Sequence, residues 1–198
     1  TEVIKLKNII KKKEIGNIKQ VTCYYVYGLL TTGTHLVDTI RMLLNDIAGE
    51  VISVIGFKNS NKDFTPFDDP NHDAILFFKN GLKVFVQSLN MKNYDIFDFY
   101  FYGTKGKILF TEIGRAAYRY NVIKSPEHTG FTELQTKPKK IFSGKPRKQF
   151  NILADNAINC YKKKNSLPMC DAMDSHIDMK IINSIIKSAR NNSKKIKI

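Results

Sequence analysis

The stretch "YDIFDFYFYGTKGKILFTEI", Tyr94–Ile113, decides the fold of this chain. Two runs rich in aromatic and β-branched residues flank "GTKG", Gly103–Gly106, a pattern typical of a tight hairpin turn. Because strand residues alternate between faces, the first run has a phenylalanine face and a mixed face. The faces are Phe97, Phe99 and Phe101 on one side, and Asp98, Tyr100 and Tyr102 on the other.

Aromatic residues on both sides of this strand indicate that neither face of the sheet is simply solvated. We expect one face to pack on helices and the other to form a partner surface or the wall of a site. The alternative is that long lysine side chains cover the second face.

A second hairpin lies upstream, where "AILFF" and "LKVFVQSLN" flank "KNG", Lys79–Gly81. Asn80-Gly81 tolerates the positive φ that such turns require. Consecutive hairpins predict a mainly antiparallel sheet, and apolar residues at helical spacing predict helices near both ends of the chain. We therefore expect an α+β fold, an open, mainly antiparallel sheet with helices packed on one face. Residues 1–198 should form one domain, with an irregular basic excursion at 114–150 that contains one or two edge strands.

Composition fits a globular domain, with 198 residues, 42% hydrophobic and 25% charged. The apolar stretches are too short to span a bilayer, and the start lacks a signal-peptide core, so no membrane partner is expected. A chain that opens with Thr1 in what reads as a helix is expected to be a fragment of a longer protein.

The net charge of +14 comes mostly from lysine. A polyanion partner and a lysine-rich solvated surface would both explain it. No recognition-helix, zinc-finger or RNA-recognition signature accompanies the charge, so the solvated surface is favoured and no nucleic acid is expected.

The three cysteines, Cys23, Cys160 and Cys170, include no CxxC spacing. An odd number of cysteines favours free thiols in a reducing compartment, which predicts a cytoplasmic protein. Cysteine and histidine lie at no zinc-ligand spacing. His72, in "DDPNHD", is conceivable as part of a metal site, but a solvated turn is favoured, and no metal is expected.

His35 is the candidate for chemistry, in "LLTTGTHLVDTIRMLL", Leu29–Leu44. Thr32 or Thr34 can cap a helix here, which puts His35 in the first turn. The positive end of the helix dipole disfavours a charged imidazole, so the ring would be ready to accept a proton. Asp38 lies one turn on and could face the same cavity. It could instead form a surface ion pair with Arg41, at i+3.

Four segments in order resemble the C-terminal domain of the glucose-fructose oxidoreductase / inositol dehydrogenase (Gfo/Idh/MocA) family. They are "KKKEIGNIKQVTCYY" (11–25), "YGLLTTGTHLVDTIRMLLND" (27–46), "FYFYGTKGKILF" (99–110) and "NSLPMCDAMDSHIDMKIINSIIKSARNNSKKIKI" (165–198). Together they span nearly the whole chain, and their order and spacing are more specific than any single segment.

The resemblance implies a domain that binds a sugar-type substrate and forms oligomers, beside a Rossmann domain, absent here, that binds NAD or NADP. His35 would exchange the proton of the reacting hydroxyl, and the substrate site would include Tyr27, Thr31, Thr34 and Asp38. The family often has an aspartate where this chain has Thr31, and threonine can hydrogen-bond a sugar hydroxyl but cannot stabilise an imidazolium by charge.

The resemblance thus implies part of an NAD(P)-dependent oxidoreductase for sugars or nucleotide-sugars, as in surface-polysaccharide pathways, that is inactive as an isolated fragment. A homo-oligomer through the open sheet face is expected. The alternative is a non-catalytic binding or dimerisation module that retains the fold.

Overall fold

The computed structural model describes residues 2–59, 69–89, 94–144, 149–163, 168 and 171–198. The helices in these residues are α1 (Glu2–Lys11), α2 (Gly33–Ala48), α3 (Gln149–Lys162) and α4 (Ala172–Arg190). The strands are β1 (Ile18–Tyr25), β2 (Val51–Lys58), β3 (His72–Phe78), β4 (Lys83–Ser88), β5 (Phe97–Gly103), β6 (Gly106–Thr111), β7 (Ala116–Lys124), β8 (Thr132–Leu134), β9 (Lys139–Ser143) and β10 (Ile196–Lys197). A π-helical turn, Gly28–Thr32, leads into α2.

The ten strands form one sheet in the order β10-β2-β3-β4-β1-β5-β6-β7-β8, with β9 paired to β7. The β1–β4 pair is parallel, whereas the other pairs are antiparallel. Both predicted hairpins are present, as β3–β4 and β5–β6. The predicted α+β class, with an open and mainly antiparallel sheet, is confirmed.

One face of the sheet is covered by α1, α2 and α4, and the core lies between them. Phe99 and Phe101 of β5 are buried there, as the alternation predicts. The approach of α4 to β2 is close, since a Cβ at Gly56 would lie 2.2 Å from the Ile185 carbonyl oxygen. The buried Ser188 hydroxyl fixes this contact by accepting from the Gly56 N–H at 2.9 Å.

The segment 114–150 is more regular than expected, because its described part contains β7, β8 and β9 before α3 begins. The turn residues and lysines of this segment weaken its strand signal, although β7 pairs with the preceding β6, and β8 and β9 pair with β7. β7 gains its hydrogen bonds from β6, through pairs that run from Thr111–Ala116 to Gly106–Asn121. Lysines are common on edge strands, where they discourage pairing with other chains.

The second face of the sheet carries a row of seven residues that pair directly across neighbouring strands. We call this the open-face row, and each member is half-buried. Its members are Ile55, Ile75, Phe85, Thr22, Tyr100, Leu109 and Tyr118. Lysine covers only parts of this face, with Lys107 Nζ 4.1 Å from the centroid of the Tyr120 ring and Lys195 Nζ 3.8 Å from that of Phe77.

Within the described part of the chain, each helix is too short or too polar to cross a membrane.

Candidate functional site

The turn that precedes His35 is held by the loop before β3. The carboxylate of Asp69, a buried residue, accepts hydrogen bonds from the backbone N–H groups of Leu30 and Thr31, both at 2.7 Å. The Asn71 side chain accepts from the Gly28 N–H at 3.0 Å. N–H groups at the start of a helix lack partners within it, and this loop supplies them from elsewhere in the sequence.

This arrangement corrects two expectations. Thr32 is the N-cap residue of α2, but its side chain makes no capping hydrogen bond, and the Thr34 hydroxyl donates back to the Thr31 carbonyl at 2.7 Å. In the described part of "DDPNHD", Asp69 is buried rather than solvated. The described residues contain no group of three side chains that could hold a metal ion.

Tyr27, which precedes the turn, has a left-handed backbone with φ 70° and ψ 25°. This conformation is unusual for a bulky residue and persists only where the surroundings enforce it. Gly28 follows with φ +87°, and a Cβ there would lie 2.3 Å from the Asp69 carboxyl carbon. The chain therefore bends sharply here, and the bend directs Tyr27 toward the start of β5.

A cleft of about 400 Å³ opens beside the first turn of α2. We call it the His35 cleft. Its polar lining residues are Tyr27, Thr32, His35, Thr39 and Asp95, and its apolar ones are Val3, Val26, Ile96, Phe97, Phe110 and Ile113.

The Tyr27 hydroxyl donates a hydrogen bond to the Asp95 carboxylate across the cleft. This hydrogen bond raises the pKa of the Tyr27 phenol above its usual range, helped by desolvation and by the Asp95 charge. The phenol is therefore neutral and acts as a donor at physiological pH. Asp95 carries the only carboxylate among the described lining residues, which include no lysine or arginine.

Of the predicted site residues, His35 and Tyr27 lie together in the cleft. Thr31 and Thr34 are not among its lining residues, and the backbone of Thr31 and the hydroxyl of Thr34 form hydrogen bonds within the turn region. Asp38 does not line the cleft either, and it lies near the junction of α2 and α4, where the charges of Arg41 and Asp174 act on it together with that of His35.

At that junction, Arg41 is buried and forms a 2.6 Å ion pair with Asp178. It also donates to the Asp174 carbonyl at 3.1 Å and lies 3.4 Å from the Asp174 carboxylate. The ion pairs of Arg41 are thus formed with α4 rather than with Asp38. Burial raises the pKa of Asp38, and the nearby Asp174 carboxylate adds to this, whereas Arg41 and His35 oppose it.

Sequence reasoning missed Thr32, Thr39 and Asp95. The two threonines lie three residues before and four after His35, a helical spacing that could have identified them. Asp95 has no local signal, because it depends on the pairing of β1 with β5. That antiparallel register pairs Tyr25 with Phe97, so its continuation brings Tyr27 opposite Asp95.

The cleft combines an exposed imidazole, hydroxyl groups and one carboxylate on an apolar base, a combination suited to a polyhydroxylated small molecule. The described residues offer no phosphate cradle for a dinucleotide, since "GTKG" joins two strands rather than a strand and a helix.

Three of the solved structures that the chain resembles in fold are oxidoreductases. The chain resembles the WlbA dehydrogenase from Bordetella pertussis in complex with NADH and UDP-GlcNAcA (TM-score 0.69, 14% identity, 100% of this chain and 61% of that one). It also resembles the aldose-aldose oxidoreductase from Caulobacter crescentus complexed with glycerol (TM-score 0.75, 14% identity, 100% and 60%). A third is levoglucosan dehydrogenase in complex with NADH and L-sorbose (TM-score 0.69, 16% identity, 98% and 61%).

The chain thus spans about 60% of the length of the solved proteins that it resembles. No curated protein matches it in sequence. Residues 27–198 match the family described as "Oxidoreductase family, C-terminal alpha/beta domain". Since this match covers most of the chain, the protein belongs to the Gfo/Idh/MocA oxidoreductase family, of which it carries the C-terminal α/β domain.

Proposed function

We propose that this chain is the substrate-binding and oligomer-forming domain of an NAD(P)-dependent oxidoreductase that acts on a sugar or nucleotide-sugar. The domain is inactive alone, because its described residues provide no dinucleotide site. Family membership supports the reaction class. Solved neighbours that hold NADH with a sugar or sugar nucleotide support the substrate class.

The observation that carries the proposal is the position of His35, whose side chain is exposed in a cleft lined by hydroxyl groups. Oxidation of a carbinol removes a hydride from carbon and a proton from oxygen. Imidazole is the side chain best suited to exchange protons near neutral pH. Hydride acceptance belongs to the nicotinamide, held outside this chain, so the part of this domain is to bind the sugar and take the hydroxyl proton on His35.

Tyr27, Thr31, Thr34 and Asp38 remain the proposed substrate-binding residues. Tyr27 has the strongest support, since it shares the cleft with His35. The others would act through a substrate that extends past the mouth of the cleft, as a nucleotide-sugar does.

The test uses the whole protein with NAD or NADP and a panel of sugars, and follows nicotinamide reduction. We expect His35→Ala to lower kcat by roughly 10² to 10⁴ fold, the usual contribution of a general base. His176→Ala is the matched control, because His176 is exposed on α4 and does not line the cleft. Unchanged turnover in His35→Ala would exclude His35 as the base. Turnover by the isolated chain would show that the domain is active alone, contrary to the proposal.

A non-catalytic binding module is the second candidate, and Thr31 favours it. The residue stands where the family often has an aspartate, and its N–H is bound to Asp69. Sugar binding by the whole protein without nicotinamide reduction, across the panel and with both nucleotides, would favour this candidate.

We also propose that the open sheet face forms a homo-oligomer interface and that the protein is cytoplasmic. The open-face row supports the interface, since most of its members are aliphatic or aromatic and each is only half-buried. Cys23 supports a reducing compartment, since it is a free thiol in the core, where burial raises its pKa and suppresses its reactivity.

A further inference from the structure

We infer that Tyr27 and Asp95 form a paired acceptor for two neighbouring hydroxyl groups of the substrate, and that Asp95 selects neutral sugars over uronic acids. The inference rests on the proposed function, because it assigns the substrate class of the same cleft. Asp95 takes over in this chain a role that Thr31 cannot perform, namely to bring a carboxylate beside the reacting sugar.

The geometry of the pair is built by the fold. The register of β1 with β5 brings the two residues opposite one another just beyond the ends of the paired strands. The left-handed backbone of Tyr27 then turns its side chain into the cleft. A strained residue that ends in a hydrogen bond at a cleft wall is the pattern expected of a functional position.

The hydrogen-bond donors and acceptors of Tyr27 and Asp95 indicate which ligand groups the pair can bind. The Tyr27 O–H donates to one carboxylate oxygen of Asp95, which uses the donor of the pair. Among the described residues, the second carboxylate oxygen and the lone pairs of the phenol oxygen remain as acceptors. Two adjacent acceptors match two adjacent O–H donors, the arrangement of a vicinal diol. Hydrogen bonds to a carboxylate are among the strong ones, because the acceptor is charged.

The charge of the cleft explains its selectivity. Asp95 brings a negative charge to a cleft whose described lining residues include no lysine or arginine. The remaining wall includes the apolar side chains of Ile96 and Phe97, which exclude water and suit the C–H face of a sugar ring. A substrate carboxylate would lie near Asp95 without a cationic partner among the described lining residues, and like charges at this distance repel.

The test measures kcat and KM in the whole protein with a neutral sugar that it oxidises and with the matching uronic acid. We expect Asp95→Asn to raise KM for the neutral sugar about tenfold or more, the effect of losing a charged acceptor, with kcat changed much less. The preference for the neutral sugar over the uronic acid should shrink by a similar factor.

Tyr27→Phe removes the hydroxyl and keeps the ring, so it should raise KM in the same direction. In the double variant, the loss of substrate-binding free energy should be smaller than the sum of the losses in the two single variants, because the two residues act as a unit. Asp155→Asn is the matched control, the same chemical change at an exposed position of α3. Thermal unfolding midpoints equal to that of the parent protein show that the variants fold.

Two results overturn the inference. One is an Asp95→Asn variant with an unchanged KM and an unchanged preference for the neutral sugar over the uronic acid. If turnover of the whole protein still depends on His35, the proposed function stands although the inference fails. The other is a parent protein that prefers the uronic acid. A third result separates the two proposals. If calorimetry shows that the whole protein prefers the neutral sugar and that Asp95→Asn removes this preference, the inference is supported. If the same protein reduces no nicotinamide, the proposed catalytic function fails.

Discussion

The two faces of β5 show how one strand serves two purposes. Phe99 is fully buried under the helices and lies among the rings of Phe97, Phe101 and Phe110, with centroids 5.0 to 6.3 Å away. Its neighbour Tyr100 points to the other face, where the open-face row is only half-buried. Both faces are rich in aromatic residues, so hydrophobicity alone does not distinguish them. The difference is the helix layer, which covers one face and makes it the core, whereas the other face is the one we propose for association.

Removal of a ring from the covered face should have the largest effect. We expect Phe99→Ala to lower the free energy of unfolding by about 3–5 kcal/mol, since it opens a cavity in the core. Urea unfolding at low protein concentration measures this change. Tyr100→Ala, one residue away on the other face, should cost about 1 kcal/mol under the same conditions. Equal losses would mean that the two faces are equally buried in the single chain.

A charge on the open face should weaken association while leaving the fold intact. We expect Leu109→Lys, between Tyr100 and Tyr118 in the open-face row, to raise the dissociation constant of the oligomer roughly thirtyfold or more. Analytical ultracentrifugation of the whole protein checks this. Leu153→Lys makes the same substitution on the exposed side of α3 and should leave the oligomer unchanged. An oligomer unaffected by Leu109→Lys would disprove the proposed interface.

In the helix layer, substitution of Asp38 should change the free energy of unfolding least of the three, and the change should depend on pH. Burial raises its folded-state pKa above the unfolded value of about 3.9. The folded chain therefore holds this proton more tightly, and the contribution of Asp38 to stability falls as pH rises above about 4. We expect Asp38→Asn to raise the free energy of unfolding at pH 7, and this gain should vanish at about pH 3.5, in urea titrations at both pH values.

Asp46 offers a control of opposite sign for this titration. Lys7 lowers its pKa, so its carboxylate stabilises the fold at neutral pH and loses that effect as the pH falls. Asp46→Asn should therefore reduce stability at pH 7 and leave it unchanged in acid. A shift of the same sign in both variants would contradict the electrostatic assignment of Asp38.

Much of the fold could be predicted from local signals in the sequence. The turns at Asn80–Gly81 and Gly103–Gly106 define two hairpins, and alternating phenylalanines define the covered face of β5. The position of β1 between β4 and β5 could not be predicted, because strand order depends on contacts between distant segments. The three strands of 116–143 have a different cause: their pairings are local, β7 with β6 and both β8 and β9 with β7, but lysines and turn residues weaken the strand signal of the segment.

The site residues likewise fall into those that local sequence signals mark and those that contacts between distant segments bring in. The position of His35 in the cleft was accessible to prediction because helix-start residues and an apolar stripe mark it, whereas its catalytic role is a proposal that comes from the family resemblance. Asp95 and Asp69 were not, because each reaches the His35 region from a separate part of the chain. Asp95 arrives through strand register, and Asp69 through the loop that binds the turn before α2.

The central position of β1 also has a consequence for synthesis on the ribosome. Val21 pairs with Val84 on one side and with Phe101 on the other, so the middle strand is made first and both of its neighbours come much later. Sheets with such distant pairings fold slowly, and their unpaired edges invite misassembly. We expect the nascent domain to depend on chaperone protection until β5 has emerged, so that chains stalled before Gly103 are readily cleaved by protease.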